Sequence, residues 1–295
     1  MHFKLKSVMR KFLPILPAII VLTGMILPGC EDHPKNNHEI LDDGTGKLVI
    51  NITDEPFPLD MIESATVTVV KVDIRDADLA LTDTVNPFVV LMEDTVLTYN
   101  LVELRNGVTA KMIEADIPSG DYDLIRLYIT EASLAVKEGG NYIMKIPSGS
   151  QTGVKVFIKP SIPVSGKTIT ELLLDFSLEQ SFVLKGNDKT AAGIKGFNFK
   201  PVIRAVNNTT AGMIAGMVAD ILNGPIENAS VWIEQDTLVT SALTDATGYY
   251  GMIGVPAGMY DIYATAENYD TVCITGIKVL AGNLFEQNFI LTPVE

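Results

Sequence analysis

The chain has 295 residues, 47% hydrophobic and only 7% aromatic, with 36 acidic against 22 basic side chains and a formal net charge of −14. That length suits two domains of ordinary size, and the acid excess repels phosphate backbones and anionic lipid, which excludes nucleic-acid binding and membrane docking by charge. The three histidines, His2, His33 and His38, all precede residue 44, so Ser-His-Asp and Cys-His catalysis and ordinary zinc sites are excluded together from the stretch that can fold.

The first element is an address. "MHFKLKSVMRK" carries Lys4, Lys6, Arg10 and Lys11 with no acid, and "FLPILPAIIVLTGMIL" follows as an apolar run broken by Pro14 and Pro17. A charged region followed by a short apolar one reads as a secretory signal peptide, whereas a membrane span prefers about 18 or more uninterrupted apolar residues. The run ends in Leu27-Pro28-Gly29-Cys30, which resembles the lipobox of bacterial lipoproteins, with Pro28 where a small residue is usual. The resemblance implies cleavage before Cys30 and acylation of its thiol, so that lipid is the route to the membrane. At about 0.8 kcal/mol per buried methylene, several acyl chains anchor durably. Loss of residues 1–29 removes four positive charges and takes the net charge from −14 to −18.

Residues 30–43 carry five acids and one base and read as an acidic tether. As a coil, about 13 residues would hold the first domain roughly 20 Å from the membrane. Glu31 and Asp32 serve as solvated tether; they also resemble the acidic surface-export signal that follows the cysteine in lipoproteins of the Bacteroidetes. That likeness implies display on the outer membrane's outward face, within reach of neighbouring outer-membrane proteins or extracellular glycans.

From residue 44 onward the chain alternates. In "KLVINIT" Leu48, Ile50 and Ile52 share one face, and in "TVTVVKVDI" Val67, Val69, Val72 and Ile74 do so around a slip at Val70. Glycine, Asn and Asp punctuate these runs every eight to twelve residues, and no stretch sustains a helical period, so the prediction is all-β with two sandwich domains in tandem. "IPSGDYDLIRLYI" reads as a turn on Pro118 and Gly120 feeding a long strand, with Leu124, Arg126 and Tyr128 opposite Ile125, Leu127 and Ile129. In "TITELLLDFSLEQSF" a strand sorts polarity better than a helix: Leu172, Leu174, Phe176 and Leu178 point one way, Glu171, Asp175 and Ser177 the other. The acidic side is expected to face solvent rather than to hold a cation.

Other candidate chemistry is thin. "PSGSQTGVK" (147–155) and "KGNDKTAAGIKG" (185–196) lack P-loop spacing and read as hairpin loops. Cys273, in the strand-like "DTVCITGIKVL", is expected to be a buried small hydrophobe. Trp232, between Val231 and Ile233, reads as core or half-core rather than as a sugar platform. No catalytic, metal or cofactor-binding residue is predicted.

Two resemblances cover most of the remainder. "GKLVINITDEPFPLD", "YNLVELRNG", "IPSGDYDLIRLYI", "IPSGSQTGVKV", "LLLDFSLEQSFVLKG" and "FNFKPVIRAV" occur in the order of a family of secreted domains, the domain-of-unknown-function family numbered 4382. The resemblance spans 44–206 and implies an all-β surface-lipoprotein domain. "NNTTAG" (207–212) is then a polar linker, after which only Lys278 is basic. "AGMVADILNGPIENASVWIE", "TDATGYYGMIGVPAGMYDIYATAENYDT" and "GNLFEQNFIL" are similar to the carboxypeptidase regulatory-like domain, over 213–295. That likeness implies a small transthyretin-like sandwich which folds, spaces and docks other modules. Within it Asn223-Gly224-Pro225 and Asp245 to Gly248 are expected turns, and Gly258 opens a strand carrying Tyr260, Ile262 and Ala264.

One small pattern recurs: Asp83-Thr84-Val85, Asp94-Thr95-Val96, Asp236-Thr237-Leu238 and Asp270-Thr271-Val272. Each resembles the O-glycosylation acceptor of Bacteroidetes, which makes Thr84, Thr95, Thr237 and Thr271 candidate sites; Asp-Thr equally suits the turn before a strand. The expectation is a non-enzymatic, lipid-anchored surface spacer, adhesin or accessory module, with a glycan-binding lipoprotein serving an uptake system as the alternative.

Overall fold

The computed structural model describes residues 44–55, 61–81, 85–146, 151–187 and 190–294. The signal peptide, Cys30, Glu31, Asp32 and Thr84 lie outside the described residues. Twelve strands precede residue 208: β1 (Thr45–Glu55), β2 (Ile62–Asp76), β3 (Phe88–Met92), β4 (Leu97–Asn100), β5 (Ala110–Pro118), β6 (Gly120–Val136), β7 (Asn141–Lys145), β8 (Val154–Val164), β9 (Ile169–Ser177), β10 (Phe182–Gly186), β11 (Ile194–Phe199) and β12 (Ile203–Asn207). Ten form one sheet in the order β3-β2-β6-β8-β12-β9-β1-β5, with β4 beside β2 and β7 beside β6; β10 and β11 make a separate ribbon. The sheet folds over on itself, so that Leu48, Ile50 and Ile52 of β1 share a core with Val67 and Ile74 of β2 and Ile125 of β6.

The sequence pattern explains this locally. Period-two alternation puts Leu48, Ile50 and Ile52 inside, all fully buried. On β2 the register against β6 shifts on either side of Val69, between Thr68 and Lys71, so the slip read at Val70 is a β-bulge that keeps Val67, Val69, Val72 and Ile74 on one face. Burying each such side chain contributes about 1.5–3 kcal/mol. β9 is a strand, as its polarity required, and runs parallel to β1. It ends where Leu178–Ser181 closes a helical turn, so Leu178 reaches the core from a turn and not from the strand itself.

Eight more strands follow: β13 (Ala211–Asp220), β14 (Ser230–Gln235), β15 (Thr237–Leu243), β16 (Tyr249–Pro256), β17 (Gly258–Thr265), β18 (Val272–Val279), β19 (Leu284–Glu286) and β20 (Phe289–Leu291). One sheet is β16-β13-β19, with β20 also on β13, and the other is β15-β14-β17-β18. Their inner faces enclose Ile214, Val218, Val231, Ile233, Tyr250 and Ile262, which makes a small two-sheet sandwich. Turns at Asn223 (φ +64°) and Gly248 (φ +79°) carry the chain from one sheet to the other. At Gly216 any Cβ would collide with the Gln287 carbonyl, so the close parallel approach of the C-terminal strands to β13 requires glycine there.

Candidate functional site at the junction of the sandwiches

The expected linker 207–212 consists of the last residue of β12, a three-residue turn and the first two residues of β13. The turn is tied back by the Asn208 amide, which donates to the Glu171 carbonyl at 2.8 Å. The outer face of β9 therefore meets the second sandwich. Leu173 is fully buried there with Val206, Ala211 and Ile253, and Asp175 is only 6% exposed. This corrects the expectation of a solvated acidic face: alternation identifies the polar side of a strand, but a neighbouring domain decides whether water reaches it.

Local geometry on β16 produces the contact. Ile253 and Gly254 oppose only Met213 of β13, a bulge flagged by the register shift between Gly212 and Ile214 and by Gly254 at φ +64°. The bulge turns Ile253 outward. A Cβ on Gly254 would approach Leu173 Cδ2 at 2.6 Å, and the Gly254 carbonyl accepts from Arg204 Nη1 at 3.3 Å. Arg204 also donates through Nη2 to Asp175 Oδ2 at 2.6 Å, and Ser241 donates to Glu55 Oε1 at 3.0 Å.

A small cavity lies in this junction. Thr53, Asp54 and Glu55 at the end of β1, Asn106, and Asp175 line one side; Ser241 and the Gly251–Ile253 segment line the other. Its electrostatics are unusual. Burial pushes the Asp54 carboxyl well above the usual carboxylate range, with the Asp175 and Glu55 charges adding to the effect. Burial and then Asp175 raise Glu55, and burial raises Asp175 even against the Arg204 guanidinium. Among the described residues no three His, Cys, Asp or Glu side chains converge as a ready-made metal cage.

A second feature lies on the outer face of the β15-β14-β17-β18 sheet. Trp232 stacks on Tyr263 with centroids 5.1 Å apart and planes within 8°, and the indole Nε1 donates to Glu234 Oε1 at 2.9 Å. Trp232 is half-buried, opposite in face to Val231 and Ile233. Cys273 pairs with Tyr263 across β17 and β18 and is exposed. That corrects the burial expected of it, because at the start of β18 Val272 and Ile274 turn toward the core and Cys273 and Thr275 point away from it. On the first sandwich, Arg126 forms a bidentate pair with Asp73 at 2.6 and 2.7 Å and lies 3.4 Å over the Phe88 ring, a closed network in which Asp73 is fully partnered.

The candidate acceptors Thr95, Thr237 and Thr271 are exposed. Asp94 and Asp236 adopt φ of 56° and 61°, a left-handed turn conformation that Asp tolerates, so the Asp-Thr pattern has a turn-forming role at these two places. The residues that reasoning from sequence missed are Asp54, Asn106 and Gly254. Only the acid pair at the end of an alternating strand signalled the first.

Residues 45–201, more than half of the chain, match the family described as Domain of unknown function (DUF4382). The chain belongs to this family. The DUF4382 domain is followed at residues 213–292 by a match to the carboxypeptidase regulatory-like domain. No curated protein matches the chain. Among solved structures, a type II cohesin–X-dockerin complex from Acetivibrio cellulolyticus is 24% identical over 27% of this chain and 56% of its own, with a TM-score of 0.23. The chain thus spans little more than half of that relative. The shaft pilin SpaA from Lactobacillus rhamnosus GG is 9% identical over 85% of this chain and 98% of its own, at a TM-score of 0.24. Catechol 1,2-dioxygenase from Acinetobacter sp. ADP1 is 13% identical over 30% of this chain and 54% of its own, at a TM-score of 0.24. With TM-scores this low, none of the three bears on the function of the DUF4382 chain.

Proposed function

We propose that the chain is a non-enzymatic, lipid-anchored protein of the outer membrane whose two sandwiches form a stiff spacer, holding an adhesive or accessory binding surface away from the cell. The observation that carries this reading is the junction: a three-residue turn, the packing of Ile253 on Leu173, and the Arg204 and Ser241 bonds leave no free hinge between the sandwiches. Interfaces of this kind oppose the relative motion that separate domains otherwise show. Lipidation of Cys30 anchors the spacer, Glu31 and Asp32 direct it outward, and glycans on Thr84, Thr95, Thr237 and Thr271 shield its loops. Electron–electron distance measurement between spin labels placed one on each sandwich tests the spacer: one narrow distribution is expected, and a broad one overturns it. Intact-mass measurement of the native protein tests the glycans, since a mass explained by chain and lipid alone removes them.

The half-exposed Trp232–Tyr263 stack favours a second reading, glycan binding for a neighbouring uptake system. Aromatic faces bind sugar rings by stacking, and Glu234 beside Trp232 would accept hydroxyl hydrogen bonds. A glycan array with wild type and Trp232→Ala separates the two readings: binding lost in the variant supports this one, and no binding by either leaves the spacer alone.

A further inference from the structure

Three rows of side chains stand next to one another on the outer face of the β15-β14-β17-β18 sheet. Trp232 of β14 lies directly opposite Tyr263 of β17, Ser230 opposite Thr265, and Glu234 opposite Asp261. Positions two apart on a strand share a face and stand about 7 Å apart, so a hydroxyl row, an aromatic row and a carboxylate row follow in sequence. The rings, with centroids 5.1 Å apart and planes within 8°, form one apolar ridge. All six side chains are half-buried, and none belongs to the core of the second sandwich.

The carboxylate row is the part that folding does not account for. Like charges directly opposite on neighbouring strands are destabilising, and among the described residues no base pairs with Glu234 or Asp261. Lys278, the one base after residue 206, is set against Met259 instead. Each acid is engaged through one oxygen: Glu234 Oε1 accepts from the Trp232 indole at 2.9 Å, and Asp261 Oδ1 accepts from the Gly276 amide at 2.9 Å. Both acids also act on the aromatic row. The Cys273 thiol and burial raise the Tyr263 phenol, and the Glu234 and Asp261 charges add to that rise.

A cation seated here relieves the repulsion and is attracted to the aromatic ridge as well. A metal ion has no use for the hydroxyls and rings together, and an alkylammonium has none for the hydroxyls. A protonated amino sugar uses all three rows: its C–H face meets the rings, its ammonium the carboxylates and its hydroxyls Ser230 and Thr265. We propose that this face binds glycans containing amino sugars with a free, protonated amine, with Trp232 and Tyr263 as the stacking surface and Glu234 and Asp261 as the ammonium acceptors. The inference rests on the glycan-binding reading and names the class of glycan. Its charge complementarity extends beyond the six residues, since residues 207–295 carry ten acids against Lys278 alone; the same field turns away uronates and sulfated sugars.

Trp232 is the chain's single tryptophan, so its fluorescence reports the site directly in the mature lipidated chain in detergent. Titration with a glucosamine tetramer at mildly acidic pH should shift the emission saturably. The N-acetylated tetramer, which keeps the sugar rings and loses the charge, should bind about tenfold more weakly. Glu234→Gln and Asp261→Asn retain acceptors for the Trp232 and Gly276 N–H groups; made together they should erase that preference, while the exposed Asp94→Asn leaves it unchanged. Equal binding of the free and acetylated tetramers by wild type, a comparison that needs no variant, would overturn this inference and keep glycan binding. Binding of neither, nor of a glucose tetramer, would overturn both. An alkylammonium salt that binds as tightly as the glucosamine tetramer would overturn the sugar assignment, and a preference that survives the double variant would overturn the roles of the two acids.

Discussion

The Tyr260 hydroxyl donates to the backbone carbonyl of Pro256 at 2.7 Å, pinning the corner where β16 turns into β17. Tyr122 makes the same bond to Pro118 at 2.8 Å at the β5–β6 corner of the first sandwich. Both corners are spelled Pro-x-Gly-x-Tyr, as Pro118-Ser119-Gly120-Asp121-Tyr122 and Pro256-Ala257-Gly258-Met259-Tyr260. Each phenol is nearly or wholly buried, so removing its oxygen takes a partner from a carbonyl at a corner where the chain passes between two strands that do not pair with each other. Tyr122→Phe and Tyr260→Phe should each cost about 1 kcal/mol, read as a lower urea midpoint with unchanged slope.

Tyr122 also carries an alkaline signature. Burial, and then the Asp76 charge, push its phenol up to about 12, against about 10 in an unfolded chain. The neutral form is favoured by folding, so this contribution is whole below pH 10 and is lost as pH rises through about 12. Part of the alkaline loss of stability should therefore disappear in Tyr122→Phe, which urea melts between pH 9 and pH 12 would reveal.

The acid group at the junction has the opposite habit from an ordinary salt-bridged carboxylate. Asp54, Glu55 and Asp175 all have raised folded pKa values, so their charged forms disfavour the folded state. Their contribution is complete below the unfolded values near pH 4 and is lost as pH rises through the higher folded values. Relative to wild type, Asp54→Asn should therefore gain stability as pH rises above about 4. Urea melts in which the difference between Asp54→Asn and wild type stays constant from pH 4 to 8 would contradict the assignment of these shifts.

Arg204 is the residue on which the junction's electrostatics turn. Arg204→Ala leaves Asp175 buried without its partner and should cost about 3–5 kcal/mol. The paired change Arg204→Met with Asp175→Leu, which removes both charges, should recover most of that loss. A double-mutant cycle by chemical denaturation measures the coupling.

Cys273 is exposed in the folded chain. A maleimide should therefore label it under native conditions as fast as after unfolding. Cys30→Ser, in the same spirit, should release the chain from membranes and abolish fatty-acid labelling; a variant still membrane-bound after a carbonate wash would identify the apolar run as a span.

Period-two patterning was enough to read the all-β build, the inward faces of β1 and β9, and even the bulge at Val70, because side-chain parity in a strand is a local property of the backbone. The family match and the order of the two domains were equally legible, since short phrases in order survive wherever a hairpin needs its turn residues. What tertiary structure alone decided was which polar faces stay wet. Asp175 looks solvated from its neighbours in sequence, and it is buried because Gly254, 79 residues later, bulges Ile253 onto Leu173. Cys273 looks buried by the company it keeps, and it is exposed because β18 pairs with β17 in the register that turns position 273 outward. Asp54 continues the alternation of Ile50 and Ile52, so parity places its carboxylate inward at the end of β1, where it is 5% exposed. Local patterning encodes which way a side chain points, whereas burial depends on what arrives from far along the chain to cover it.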